Sequence, residues 1–149
     1  MLPSLLALIV AALFTGAAVY INVVEQPARL QLSSASLLRE WKPSYRRGFA
    51  MQASLALVGG ALGLLGWWLQ SDWRLLIGAL LLLANWPYTL MMIMPTNRKL
   101  MALSDDSASG EIRLLIREWG VLHAVRGALG AAATVMFAWA AAVRWDVVG

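Results

Sequence analysis

Cysteine is absent from this 149-residue chain, and histidine occurs once, as His123. Structural zinc takes four nitrogen or sulfur ligands, so these counts exclude a protein-only zinc site, and with it disulfides and thiol nucleophiles. Charge is scarce as well. Asp, Glu, Lys and Arg make up 13% of the residues, about half the roughly 25% of a soluble domain. What fills the chain is apolar: 60% of residues are hydrophobic, and the mean hydropathy is +0.68. The net charge of +4 does not imply nucleic acid, because the basic residues flank apolar runs, as membrane topology demands.

The apolar runs predict an all-α, integral membrane, four-helix antiparallel bundle forming one domain. Helix 1 is expected over about 2–24, helix 2 over 48–70, helix 3 over 75–94 and helix 4 over 112–145. Each is long enough, at about 1.5 Å per residue, to cross a core about 30 Å thick. The first run lacks the basic n-region of a secretory signal and is read as a retained helix. Between helices 1 and 2, Pro27 suits a helix start. Leu30, Leu37, Leu38 and Trp41 then share a face before Pro43, which predicts a short interfacial helix. Pro95 is expected to end helix 3, and Pro87 to free the carbonyl of Leu83 within it. Ala56, Gly59, Gly63 and Gly66 form a small-residue stripe on helix 2 that admits close packing.

Arg29, Arg39, Lys42, Arg46, Arg47, Arg98, Lys99, Arg113 and Arg117 fall in or beside the two long connections; only Arg74 and Arg144 fall on the other side. The positive-inside rule then predicts a multi-pass protein of the plasma (inner) membrane with both termini outside. Trp67, Trp68, Trp73 and Trp145 read as interfacial belt residues, and the Ser104–Gly110 segment as flexible.

Polar residues inside the apolar runs gather at the connection-bearing end. Helix 1 offers Asn22 and Glu25, helix 2 Tyr45 and Gln52, helix 3 Asn85 and Asn97, and helix 4 Trp119, His123 and Arg126. The last three stand at i, i+4 and i+7, one helical face. A polar pocket under an apolar roof follows. Ionisable groups at membrane depth are site candidates because hydrocarbon makes them costly. His123 has three readings: proton transfer, haem ligation, or a packing histidine bonded to a carbonyl. Glu25 either pairs with Arg126 or His123, or marks a helix end in the headgroups. Arg126 either reaches the headgroups or faces inward to hold an anionic or carbonyl group. Trp86, Trp119 and Trp41 are candidates to line an aromatic ligand's pocket. Met91, Met92 and Met94 are placed near its helix 3 wall.

Val24-Glu25-Gln26-Pro27-Ala28, the Trp41 to Tyr45 stretch, Met94-Pro95-Thr96-Asn97, and Trp119 with His123, Arg126 and Gly127 resemble the anthrone oxygenase-like family of small four-helix membrane proteins. The resemblance implies oxidation of an anthrone to an anthraquinone with O2, with Glu25, Tyr45, Asn97, Trp119, His123, Arg126 and Trp41 at motif positions. In the corresponding chemistry His123 is the base, and Arg126, Asn97 or Tyr45 stabilises the oxyanion in a dry aromatic slot. No cofactor is required, although a haem or a quinone is compatible with the residues. The rival expectation is a non-catalytic subunit that binds lipid, quinone or haem, or that joins a membrane-protein partner or a second copy of itself.

Overall fold

The computed structural model describes residues 1–105 and 110–148, with side chains through residue 143. Arg144 and Trp145, and part of the Ser104–Gly110 segment, therefore lie outside the described side chains or residues. Among the described residues there are four long helices: α1, Leu2–Arg29; α2, Ser34–Gln70; α3, Trp73–Ala102; and α4, Gly110–Val148. All four are long and apolar enough to cross a membrane. The protein is a multi-pass membrane bundle. α1 packs on α2 and α4, and α3 packs on the same two, so successive helices alternate up and down around a square. This is a short-loop bundle topology.

Helices α1, α2 and α3 run further toward the basic end than the apolar pattern alone suggests, and the prolines explain how. Pro27 lies within α1 and does not begin a separate interfacial helix. The chain is α-helical over Leu2–Tyr20, makes a π-helical turn over Ile21–Glu25, and resumes as α-helix over Gln26–Arg29. A proline cannot donate to the carbonyl four residues back and clashes with it. The wider turn, closed by the Gln26 N–H on the Ile21 carbonyl, moves that carbonyl aside. α3 repeats the device at the same spacing. A π-turn over Thr89–Ile93, closed by the Met94 N–H on Thr89, precedes Pro95, and the helix continues to Ala102. Pro95 therefore does not end the helix.

Pro43 likewise lies inside α2, on an exposed face. Leu37, Leu38 and Trp41 thus form the first turns of α2 rather than a helix of their own. Ser33 caps that helix by accepting from the Ser36 N–H, the usual role of serine at an N-cap. At the opposite end Ser71 takes the left-handed conformation (φ 52°), and Asp72 caps α3 by accepting from the Arg74 N–H.

Two apolar clusters hold the bundle. The one nearer the short α2–α3 turn contains Ala7, Ala11, Phe14, Ala56, Leu75, Ala79, Leu82, Ala133, Phe137 and Ala140. Its alanines and glycines make room for rings. A Cβ on Gly63 would lie 2.7 Å from the Phe137 ring and 2.9 Å from Ala79 Cβ. The small-residue stripe thus receives the side chains of Phe137 and Leu82 as well as admitting close approach. The second cluster, at the basic end, joins Leu37, Leu38, Trp41, Ile93, Leu100, Ile112, Leu115, Ile116 and Trp119. The polar residues of all four helices fall between the clusters, with an apolar floor as well as the expected roof. Outward, Leu13, Val23, Leu57, Leu80, Val121 and Val135 are exposed, the pattern of a bundle whose solvent is lipid.

Candidate functional site

His123 is the centre of the polar layer, 2% exposed. Its Nδ1 lies 2.6 Å from Asn22 Oδ1, and its Nε2 lies 3.2 Å from Gln52 Oε1. Asn22 cannot turn over, because its Nδ2 donates to the Gly120 carbonyl at 2.7 Å. Nδ1 therefore carries the proton and donates to Asn22. Gln52 Nε2 is buried and without a partner. A rotation of that carboxamide presents its NH2 to Nε2, which then accepts from it as the unprotonated, basic nitrogen, while the amide oxygen moves to the unpartnered position. The ring stacks on Trp119, with centroids 4.8 Å apart. Three helices thus fix one imidazole.

Gln26 reinforces this corner by donating to the Ile116 carbonyl at 2.7 Å. It crosses α4 where Gly120 leaves space: a Cβ there would lie 2.6 Å from Gln26 Nε2. On the α3 side the Tyr88 hydroxyl donates to the Leu122 carbonyl at 3.0 Å. Asn85 donates to the Leu82 carbonyl at 3.0 Å, beside the one Pro87 frees.

A chamber of about 30 Å³ opens against His123. Its walls include Glu25, Tyr45, Asn97, Trp119 and Arg126, all singled out in the sequence, so these residues and His123 meet there. Trp41 is wholly buried behind the wall, stacked on Tyr45 at 4.8 Å and edge-on to Trp119 at 5.8 Å. It shapes the chamber without lining it. Trp86 lines a smaller neighbouring void, together with Phe49 and Arg126, and donates to the Ala53 carbonyl at 3.3 Å. Met91 and Met92 face outward, 74% and 53% exposed. Only Met94 reaches the site, its sulfur 3.9 Å from the Tyr45 hydroxyl.

Arg126 faces inward, 6% exposed, with its guanidinium 5.7 Å from the Phe14 ring centroid. Its Nε has no partner, and among the described residues no carboxylate pairs with it. Both amide atoms of Asn97 are also unpartnered, although that side chain faces Tyr45. Buried polar groups are ordinarily satisfied. A cluster of unfilled donors around one cavity therefore marks a place for hydrogen-bonding atoms from outside the chain.

Glu25 does not pair with His123 or Arg126. It takes Arg29, one turn on, which also holds Glu40 at 2.9 Å. Ser44 donates to Glu40 at 2.7 Å. Arg29 is 4% exposed, with its guanidinium 5.7 Å from the Trp119 ring centroid. Its place in the site follows from the π-turn, which carries α1 through Pro27 and turns Arg29 inward. Reading Pro27 as a helix start hid that.

A haem does not fit these residues. The cavity beside His123 is about 30 Å³ and holds one or two waters, and the Trp119 ring lies on the face of the imidazole, so a porphyrin has no place against it. Among the described residues no cluster of three or more His, Cys, Asp or Glu gathers.

Comparison with known proteins gives one family. The chain matches the family described as anthrone oxygenase over residues 41–136, nearly two thirds of its length. That stretch includes Trp41, Tyr45, Gln52, Asn97, Trp119, His123 and Arg126, while Asn22, Glu25 and Pro27 precede it. No curated protein and no solved structure matches. The chain belongs to the anthrone oxygenase family.

Proposed function

We propose that this protein oxidises an enolisable, hydrophobic aromatic ketone of the anthrone type with O2, at the chamber between His123 and Arg126. The observation that carries the reading is the pairing of an oriented imidazole with an ion-unpaired guanidinium on one cavity wall. His123 Nε2 removes the benzylic proton as general base. Arg126, with Asn97 and Tyr45 beside it, stabilises the enolate oxygen in a setting from which bulk water is excluded. The electron-rich enolate then gives its electrons to O2. The ring carbon loses both hydrogens, one oxygen atom becomes the new carbonyl, and the other leaves as water with those hydrogens. Substrate supplies all the electrons, so the balance requires no further reductant.

The concentration of Lys and Arg at the end nearest the chamber supports a cytoplasmic placement of that end in the plasma membrane, with both termini outside. Apolar substrate and product would then partition through the bilayer.

The test uses purified protein in lipid nanodiscs with anthrone, following O2 uptake and product absorbance together. Empty nanodiscs give the spontaneous rate. One O2 per product, with label from ¹⁸O2 in the new carbonyl and a rate at least tenfold above the empty discs, supports the reading. A rate equal to that of the empty discs overturns it.

A further inference from the structure

The chamber is too small for the substrate's body. It offers about 30 Å³, whereas sites for compact organic ligands span roughly 300–1,000 Å³. A groove of about 510 Å³ lies beside it, between α1 and α2 and open at the bundle surface. Groove and chamber share four residues: Ile21 and Glu25 from α1, Ser44 and Gly48 from α2. Ile21 and Glu25 are the first and last residues of the π-turn. The widened turn of α1 therefore forms one side of the partition, and two residues a single turn apart on α2 form the other.

The groove's glycines differ from those of the apolar core. A Cβ built on Gly16 or on Gly48 meets nothing within 4 Å. Neither is required by packing, and both leave open space. Tyr20 and Met51, 58% and 48% exposed, supply aromatic and adaptable apolar surface. Behind the partition, Gln52, Asn97 and Arg126 are 1%, 2% and 6% exposed, and each holds an unpartnered polar atom.

We propose that the α1–α2 groove is the substrate-binding site. It takes a planar polycyclic aromatic ketone sideways from the bilayer, with the oxygen-bearing edge passing between the π-turn and Ser44–Gly48 into the chamber. The inference rests on the enolisable-ketone reading given above. The membrane is then the substrate reservoir, and the π-turn is the element that opens α1 away from α2 at the required depth.

The experiment measures binding of anthraquinone, an unreactive planar ketone, to the full chain in phosphatidylcholine nanodiscs by tryptophan quenching, alongside anthrone turnover. Gly48→Leu and, on the opposite wall, Gly16→Leu add bulk where a Cβ meets open space, and Ala12→Leu on the outer face of α1 is the volume control. The expected result is a tenfold or greater loss of anthraquinone affinity in both groove variants, with unchanged thermal midpoints and a normal control. Full-affinity binding by both folded groove variants overturns the groove while leaving the functional reading intact. No binding by the wild type overturns both. Binding with the expected groove losses but without turnover supports the site and counts against the oxidation alone.

Discussion

Asn22 and His123 are joined across the bundle by a contact of 2.6 Å, and the same asparagine donates to the Gly120 carbonyl at 2.7 Å. One residue of the α1 π-turn therefore clasps α4 at two points, one helical turn apart. The clasp sets the imidazole's tautomer and its rotation together, so that Nε2 is left as the nitrogen able to accept a proton.

Replacing Asn22 by leucine leaves the buried Nδ1–H of His123 without a partner and removes the second hydrogen bond to the Gly120 carbonyl. An unsatisfied buried group costs roughly 1–3 kcal/mol, so a lower thermal midpoint is expected. Turnover should fall further than affinity, because general-base catalysis contributes about 10²–10⁴-fold and depends on the presented nitrogen. Anthrone turnover measured beside anthraquinone binding separates the effects. Equal losses in both would assign Asn22 a merely structural role.

Arg29 is 4% exposed and holds both Glu25 and Glu40. Arg29→Met leaves two carboxylates facing each other. Hydrogen bonds to charged groups contribute roughly 1.5–3 kcal/mol each, and the partial exposure of the two glutamates reduces that. A loss of about 1–3 kcal/mol is expected in denaturant titration, partly restored by Glu40→Gln in the same chain. A double mutant no better than the single would remove Glu40 from the network.

At the basic end of α2, Lys42 donates to Asp105, which lies outside the spans, at 2.6 Å and to the Leu103 carbonyl at 2.7 Å, tying the start of the α3–α4 connection to α2. The hydrogen bond from Lys42 holds the Asp105 carboxyl below its ordinary range. A depressed folded value means that the tie is fully present above the ordinary carboxylate pKa and is lost as pH falls through the lowered one. Protection of the amides at residues 103–105, taken relative to the intrinsic exchange rate at each pH, should therefore hold at neutral pH and fall only in strong acid. Asp105→Asn should lack that protection at every pH. A wild-type profile in that variant would show the contact to be idle.

The apolar runs were enough to give four spans, and polar residues embedded in those runs marked their meeting level. Asn22 and Gln52 were visible because neither amide belongs in hydrocarbon without a partner. Their convergence on His123 required the packing of α1 and α2 against α4, which no single-helix periodicity encodes. The π-turns were illegible for a related reason. Proline read locally signals a start or a stop, as at Pro27 and Pro95, whereas the fold absorbs each by widening the preceding turn. The shift moved Arg29 into the site and gave Glu25 a neighbour on its own helix. Trp41, expected to line the pocket, stands behind Tyr45 because α2 begins at Ser34.

The assignment of His123 as base is tested most directly without oxygen. Wild-type protein in nanodiscs, mixed anaerobically with anthrone at neutral pH, should develop the long-wavelength absorbance of the bound enolate. Folded His123→Ala that still binds anthraquinone should not. Enolate formation at the wild-type rate in that variant would contradict the assignment.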